Sequence, residues 1–218
     1  MKKFVVTAVA AVSALAFAAS ALASALPANQ ALQFQGAGSH VWNVKGGDSP
    51  HDTNTKALRL HVGDPSAGGY VVAYSKRSIH IATDAEAVKN LSFEFKATGY
   101  VGAGSPRISV EFQNGDVAYL SASYCNHTIG SDWSRADFTR FKTDCSIWVA
   151  GVQYEADGTR SAWRVYTDAN PDQMVEQAYL VGDETGTSRI DRLSLGAGAM
   201  YTAGNTVGKV CTTNEASC

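Results

Sequence analysis

Apolar and polar residues alternate with a period of two along much of this chain, and this alternation limits the folds it can adopt. The pattern is strict in residues 91–97 (LSFEFKA) and 107–113 (RISVEFQ). Successive side chains of a β-strand point to opposite faces of its sheet, so one face of each run should be buried. A glycine-rich loop, residues 99–106, joins the runs, and we expect them to pair as antiparallel neighbours. The predicted buried residues are Leu91, Phe93, Phe95, Ile108, Val110 and Phe112.

The same pattern predicts about ten short strands separated by turn signals. They cover residues 57–62, 69–75, 78–82, 91–97, 107–113, 117–124, 147–155, 162–167, 174–181 and 189–195. Asn114-Gly115-Asp116 and Asp157-Gly158 are typical turn sequences, and only residues 84–90 have a helical character. We therefore predict an all-β fold, a two-sheet antiparallel β-sandwich of the jelly-roll type, over residues 28–199. Residues 200–218 are predicted to form a polar tail.

The first 25 residues have the features of a secretory signal peptide. Lys2 and Lys3 precede a short apolar run, and small-x-small cleavage patterns follow at residues 21–25. The run is too short and too rich in alanine for a transmembrane anchor, and no later apolar stretch reaches 18 residues. We expect a bacterial type of export to the periplasm or the extracellular space.

Cleavage after residue 25 would remove two lysines and leave 16 basic and 20 acidic residues, a net charge of −4. Only 17% of the chain is charged, against about 25% in a typical soluble domain. A disordered chain would carry more charge, and a nucleic-acid-binding domain would be basic. We therefore predict a folded protein with no nucleic-acid partner.

All four cysteines lie after the predicted cleavage site. An even number of cysteines in an exported chain indicates disulfides, and the spacing does not suit a zinc site. Three pairings are open, of which proximity in sequence favours Cys125–Cys145 and Cys211–Cys218. The second pair would close a ring in the C-terminal tail.

Three segments of the chain resemble the β-jelly rolls of carbohydrate-binding modules and the related galactose-binding-like domains. The first is Trp42-Asn43-Val44, followed by a Gly-Asp loop and Ala57-Leu58-Arg59-Leu60. The second is residues 91–96 (LSFEFK), which is similar to the strand that opens the second half of such domains. The third is residues 188–195 (SRIDRLSL), which is similar to their closing strand. The resemblance covers most of residues 30–196, and fold alone does not determine function.

The resemblance implies a structural calcium ion. Its ligands would be Asp191, on the closing strand, and Asp48, in the N-terminal loop, because calcium prefers carboxylate oxygens. The segment 32–35 (LQFQ) lacks the glutamate that usually completes such a site. Alternatively, Asp191 forms an ion pair with Arg189 or Arg192, or caps a turn.

The resemblance also implies sugar binding through aromatic side chains. Sugars stack their C–H faces on flat rings, and the chain has four tryptophans and nine tyrosines. Trp133, flanked by polar residues, is the tryptophan that we expect to be exposed. Trp163 and Tyr166, on a predicted strand, are further ligand candidates. Core packing is the alternative for each of these residues, since it takes most aromatic side chains in a sandwich.

Jelly rolls also include glycosidases, which use two carboxylates about 5 to 10 Å apart across a cleft. Glu94 and Glu111 are the nearest candidates for such a pair, since both should point away from the buried face of neighbouring strands. Lys96 and Arg107 would share that surface, so cross-strand ion pairs explain the same residues. His80 and Tyr124 are candidates for a polysaccharide lyase, although no lyase motif surrounds them. The scattered histidines do not have transition-metal spacing.

These observations lead to three hypotheses about function. The first is an exported, non-catalytic β-sandwich that binds a glycan or another extracellular or cell-surface ligand. The second is a jelly-roll enzyme that acts on glycans, either a hydrolase or a lyase. The third is a structural or adhesive envelope protein without a small ligand.

Overall fold

The computed structural model describes residues 32–36, 39–45, 56–63, 69–75, 83–97, 104–125, 127–129, 132–140, 145–196, 199–201 and 211–212. The predicted signal peptide, Asp48, His80 and Cys218 lie outside these residues. Within the described part of the chain, no helix has the length and apolar character needed to cross a membrane.

The described residues form sixteen strands and a few short helices. In chain order the strands are β1 (Leu32–Gln35), β2 (Ser39–Lys45), β3 (Lys56–Val62), β4 (Val71–Ser75), β5 (Thr83–Asp84), β6 (Leu91–Ala97), β7 (Arg107–Phe112), β8 (Val117–Ser121), β9 (His127–Ile129), β10 (Trp133–Asp137), β11 (Ser146–Val149), β12 (Val152–Glu155), β13 (Met174–Gly182), β14 (Gly186–Leu195), β15 (Ala199–Tyr201) and β16 (Cys211–Thr212). The helices are the 3-10 turns Ala85–Ala87 and Ala122–Tyr124, and α1 (Ala162–Ala169).

The strands form two antiparallel sheets. Sheet I has the order β1-β4-β13-β7-β8-β11-β12, with β5 paired to the start of β13. Sheet II has the order β16-β15-β14-β6-β10-β9, and β3 joins it by pairing with β14 and with β2. Side chains from both sheets meet in one core. Phe93 of β6 and Ile108 of β7 both belong to it and have no measurable exposure. The predicted two-sheet antiparallel β-sandwich is confirmed.

All six residues predicted on the buried face are at most 6% exposed. The predicted pairing of their two strands is wrong, because β6 lies in sheet II between β10 and β14, and β7 lies in sheet I between β8 and β13. The two strands therefore lie in sheets that are about 10 Å apart. Each strand still buries its apolar side, so alternation alone could not distinguish a hairpin from a crossover.

The predicted Asn114-Gly115-Asp116 turn joins β7 to β8 as a hairpin. Gly115 has a φ of +87°, a conformation that costs glycine little because it has no Cβ, and its N–H bonds to the carbonyl of Phe112 at 2.9 Å. The Asn114 side chain accepts a hydrogen bond from the N–H of Asp116 at 3.0 Å. The local sequence therefore determines this turn.

Residues 162–167, predicted to form a strand, belong to helix α1. Ser161 caps the helix by accepting a hydrogen bond from the N–H of Arg164, and Arg164 pairs with Asp168 one turn later. Ala162, Trp163, Tyr166 and Thr167 are buried along one side of the helix. Six residues are too few to distinguish the period of a helix from the alternation of a strand. The cap at Ser161 and the burial of one side favour the helix.

One predicted disulfide is present, between Cys125 and Cys145. Its two residues face each other as an isolated antiparallel bridge beyond β8 and before β11. Cys211 begins β16, and its predicted partner Cys218 lies outside the described residues.

Candidate functional site

The three aromatic residues predicted to contact a ligand are buried. Trp133, Trp163 and Tyr166 are 3%, 3% and 2% exposed, so the predicted exposure of Trp133 is wrong. Trp163 stacks on Phe112 with 6.1 Å between ring centroids, and its Nε1–H donates to the carbonyl of Ala85 at 3.0 Å. Trp163 and Tyr166 are thus both core residues.

A different set of aromatic residues lies on the outer surface of sheet I. Strand register places Tyr179 of β13 opposite Ser109 of β7, and Ser109 opposite Tyr119 of β8. Tyr119 in turn lies opposite Trp148 of β11. Their sequence neighbours on each strand, such as Ile108, Leu120, Ile147 and Leu180, are fully buried in the core. Tyr119, Trp148 and Tyr179 therefore share the outer face, which we call the aromatic face.

The aromatic face is long enough for more than one sugar ring. Neighbouring strands lie about 5 Å apart, so Tyr119 and Trp148 are adjacent, and Tyr179 is about 10 Å from Tyr119 across β7. Tyr119 is 43% exposed, whereas Trp148 and Tyr179 are half-buried. Ser109, between Tyr179 and Tyr119, is small and buried. The row thus has an exposed ring at its centre with partly exposed rings on either side.

At the Tyr179 end of the row, the Glu111 carboxylate accepts hydrogen bonds from two neighbouring side chains. The Tyr179 hydroxyl donates to Glu111 Oε1 at 2.7 Å, and the Gln177 amide donates to Glu111 Oε2. Burial, together with the neighbouring Glu111 carboxylate, raises the pKa of Tyr179. A neutral phenol, a carboxylate and an amide therefore lie side by side, a set that can donate hydrogen bonds to sugar hydroxyls and accept them.

Arg107 stabilises the Tyr119 ring. Its guanidinium carbon lies 5.3 Å from the ring centroid, within the range of a cation–π contact. The same guanidinium donates to the Gly104 carbonyl and to Asp183, each at 2.6 Å. Because these bonds hold Arg107 in place, the Tyr119 ring has a fixed neighbour although it is largely exposed.

Trp148 has a neighbour on each side of its strand, β11: Tyr124 on the side of β8 and Gln153 on the side of β12. Its ring lies 6.5 Å from the ring of Tyr124, which belongs to the 3-10 turn after β8. Its register partner on β12 is Gln153, an exposed residue whose amide also contacts Glu155 at 3.1 Å. The far end of the row therefore also combines an aromatic ring with a side-chain amide.

The carboxylate pair proposed for a glycosidase is wrong. Glu94 lies on the outer face of sheet II and Glu111 on the outer face of sheet I, because each alternates with core residues of its own sheet. The two sheets lie about 10 Å apart, and both side chains point away from the gap between them. Their carboxyl groups are therefore separated by more than about 10 Å, beyond the range for two carboxylates that act on one glycosidic bond.

The residues nominated for calcium form a different kind of cluster. Asp191 lies directly opposite Glu94 in sheet II, and both are 1% exposed. Asp191 accepts a hydrogen bond from the N–H of Arg192, whose guanidinium Nε is 3.5 Å from Glu94. Arg135 is the register partner of Glu94 on the other side. The described donor set thus fits a network of carboxylates and arginines better than a cation site.

No metal centre is evident in the part of the chain that the structure describes. Within those ranges, no group of three or more His, Cys, Asp or Glu side chains is arranged to hold an ion. Asp48, the second predicted calcium ligand, lies outside them.

Comparisons with family models, curated proteins and solved structures return no match to this chain. Its function therefore has to be inferred from the geometry of its own residues.

Sequence reasoning missed Tyr119, Trp148 and Tyr179, although alternation carried a signal for the first two. Trp148 alternates with Ile147 and Val149, and Tyr119 with Ala118 and Leu120. If these aliphatic neighbours are assigned to the core, alternation places both rings on the outer face of the sheet. The sequence could not show that these rings, from strands far apart in the chain, share one row.

Proposed function

We propose that this protein is an exported, non-catalytic β-sandwich that binds a glycan on the aromatic face. The observation that carries this proposal is the register of Tyr179, Tyr119 and Trp148 on the outer surface of sheet I. A row of rings offers flat apolar surfaces to successive sugar units. The polar groups of Glu111, Gln177 and Gln153 beside the row can bond the hydroxyls that project from each unit.

The proposal favours an extended chain over a single small sugar. The row is open rather than enclosed, and its rings belong to β8, β11 and β13. A single sugar would cover only one ring, whereas a chain would bury the exposed part of Tyr119 and reach its neighbours. We expect affinity to rise with chain length until the row is covered.

The proposal also favours binding without catalysis. The nearest pair of acidic candidates lies on opposite faces of the sandwich, and Glu111 already accepts two hydrogen bonds from its neighbours. These bonds assign Glu111 a positioning role on the aromatic face.

Retention on insoluble polysaccharides, followed by calorimetry with soluble oligosaccharides of increasing length, tests the proposal. We expect Tyr119→Ala and Trp148→Ala each to weaken binding at least about tenfold, because stacking and apolar burial on a ring contribute more than 1 kcal/mol. Val152→Ala is the matched control, since Val152 is an exposed apolar residue of the same sheet, 52% exposed on the edge strand β12.

Three results would overturn the proposal. Retention by both ring variants at the level of the parent protein would remove the aromatic face as the site. Release of reducing ends or unsaturated products would favour the enzyme hypothesis. Failure to bind any polysaccharide in the panel would favour the structural or adhesive hypothesis.

A further inference from the structure

A basic groove of about 400 Å³ lies beside helix α1, in addition to the aromatic face. Three segments of the chain form its walls: residues 86–90, residues 139–140 and residues 159–167. Each wall contributes at least one cation, and the four are Lys89, Arg140, Arg160 and Arg164. Glu86 is the one carboxylate among the lining residues.

Hydrogen bonds join all three walls to one another. The N–H of Asn90 donates to Thr139 Oγ1 at 3.1 Å, which joins the first wall to the second. The N–H of Trp163 donates at 3.2 Å to the carbonyl of Phe138, the residue before the second wall. Trp163 Nε1 donates to the carbonyl of Ala85, the residue before the first wall. The groove is therefore formed before any ligand arrives.

Two arginines of the third wall are each held by two carboxylates. Arg160 pairs with Asp157 at 2.6 Å and with Asp168 at 3.0 Å. Arg164 pairs with Glu86 at 2.6 Å through Nη1 and with Asp168 at 2.7 Å through Nε. Hydrogen bonds from Thr159 and Arg160 hold the pKa of the Asp157 carboxyl well below its ordinary value. These pairs fix the side chains and reduce the conformational entropy that a ligand has to restrict.

The other two cations keep their charge uncompensated. Lys89 and Arg140 have no carboxylate partner in the ranges that the structure describes, and Arg140 bonds instead to the neutral Asn90 side chain. When the bonded neighbours Asp137, Asp157, Asp168 and Arg135 are included, five cations stand against four carboxylates, so cations still outnumber carboxylates. The hydroxyl of Ser161 adds a neutral donor to the same lining, whereas the hydroxyls of Thr139 and Thr159 already donate to Asp137 and Asp157.

We infer that this groove binds a tetrahedral oxyanion, a sulfate or phosphate ester carried by a molecule of about monosaccharide size. Lys89 and Arg140 lie on two different walls, so they can reach the oxygens of a tetrahedral group from different directions, whereas a planar carboxylate accepts bonds within one plane. Neither is paired with a carboxylate among the described residues, so each can donate a charge-assisted hydrogen bond to such an oxyanion. The volume lies within the range of small-molecule sites. The inference does not depend on glycan binding by the aromatic face.

Calorimetric titration of the protein at constant ionic strength tests this inference. The probes are inorganic sulfate, inorganic phosphate, galactose 6-sulfate, glucose 6-phosphate and, as the uncharged reference, galactose. We expect saturable binding of the charged probes and none of galactose. A stronger signal with the sulfated sugar than with the phosphorylated sugar, or the reverse, distinguishes the two sources of the oxyanion.

Lys89→Gln and Arg140→Gln should each weaken binding on the order of tenfold, since a charge-assisted hydrogen bond is lost. Lys96→Gln is the matched control: it removes the same charge from outer-face residue Lys96 of sheet II, which pairs with Asp132 outside the groove. Circular dichroism and the melting temperature confirm that each variant is folded.

Absence of saturable binding by every charged probe would overturn the inference. Equal weakening by Lys96→Gln and Arg140→Gln would also overturn it, because the effect would then follow net charge and not the groove. Loss of polysaccharide binding in Tyr119→Ala with unchanged oxyanion binding would show that the two sites act independently.

Discussion

Tyr166 shows at the residue scale how burial changes the chemistry of a side chain. It packs against Phe112 at 5.3 Å and against Tyr154 at 5.1 Å between ring centroids. Loss of water around its hydroxyl raises the pKa of Tyr166 to about 12. Burial therefore favours the neutral phenol in the folded state.

This shift predicts a loss of stability in alkaline solution. The unfolded chain loses the Tyr166 proton near pH 10 and the folded chain near pH 12, so the stability that the neutral form contributes is present below pH 10 and declines above it. Between pH 9 and pH 11, Tyr166→Phe should lose about 1 kcal/mol less unfolding free energy than the parent protein. Urea unfolding at several pH values measures this difference.

Tyr119→Phe is the control for that comparison, because Tyr119 is 43% exposed on the aromatic face. An equal alkaline decline in Tyr166→Phe and the parent protein would contradict the prediction.

At the scale of secondary-structure elements, α1 connects the core to the basic groove. Its buried side places Trp163 and Tyr166 against Phe112 of β7, and its exposed side carries Arg164 and Asp168. The helix has only eight residues, a length that is marginal in isolation. Packing and capping must therefore stabilise it.

The cap provides a test of this interpretation. Ser161→Ala removes the acceptor for the N–H of Arg164 and should lower the unfolding free energy by about 0.5 to 2 kcal/mol. Ser161→Asn, which keeps a capping oxygen, should restore most of the loss. Denaturant unfolding measures both, and equal stability of the two variants would show that the cap contributes little.

At the scale of the whole molecule, the outer faces of the sandwich differ in character. Sheet I presents Tyr119, Trp148 and Tyr179, whereas sheet II carries the buried carboxylates Glu94 and Asp191 among arginines. A single core holds both sheets, and the disulfide links the end of the 3-10 turn after β8 to the residue before β11. The aromatic face depends on β8 and β11, so the disulfide lies close to the elements that form it.

The disulfide should contribute to global stability. It closes a loop over a sequence separation of 20, which corresponds to about 3 kcal/mol in the chain-entropy model. We expect Cys125→Ser/Cys145→Ser to lose about that much unfolding free energy in urea. A double variant as stable as the parent protein would contradict this prediction, and reduction of the parent protein provides an independent comparison.

Local sequence determined the parts of this protein that depend on near neighbours. Alternation located β6 and β7 and their buried residues, and the Asn114-Gly115-Asp116 turn located a hairpin. Proximity in sequence also favoured the Cys125–Cys145 pair. The turn depends on interactions within a few residues. The alternating strands require only that some core covers their apolar side.

Only the tertiary structure decided which sheet each strand joins and which aromatic rings remain accessible. The assignment of β6 and β7 to different sheets separates Glu94 from Glu111, and packing against Phe112 buries Trp163. Strand register places Tyr179, Tyr119 and Trp148 in one row. These outcomes depend on contacts between residues far apart in the chain, whose free energies no local pattern contains.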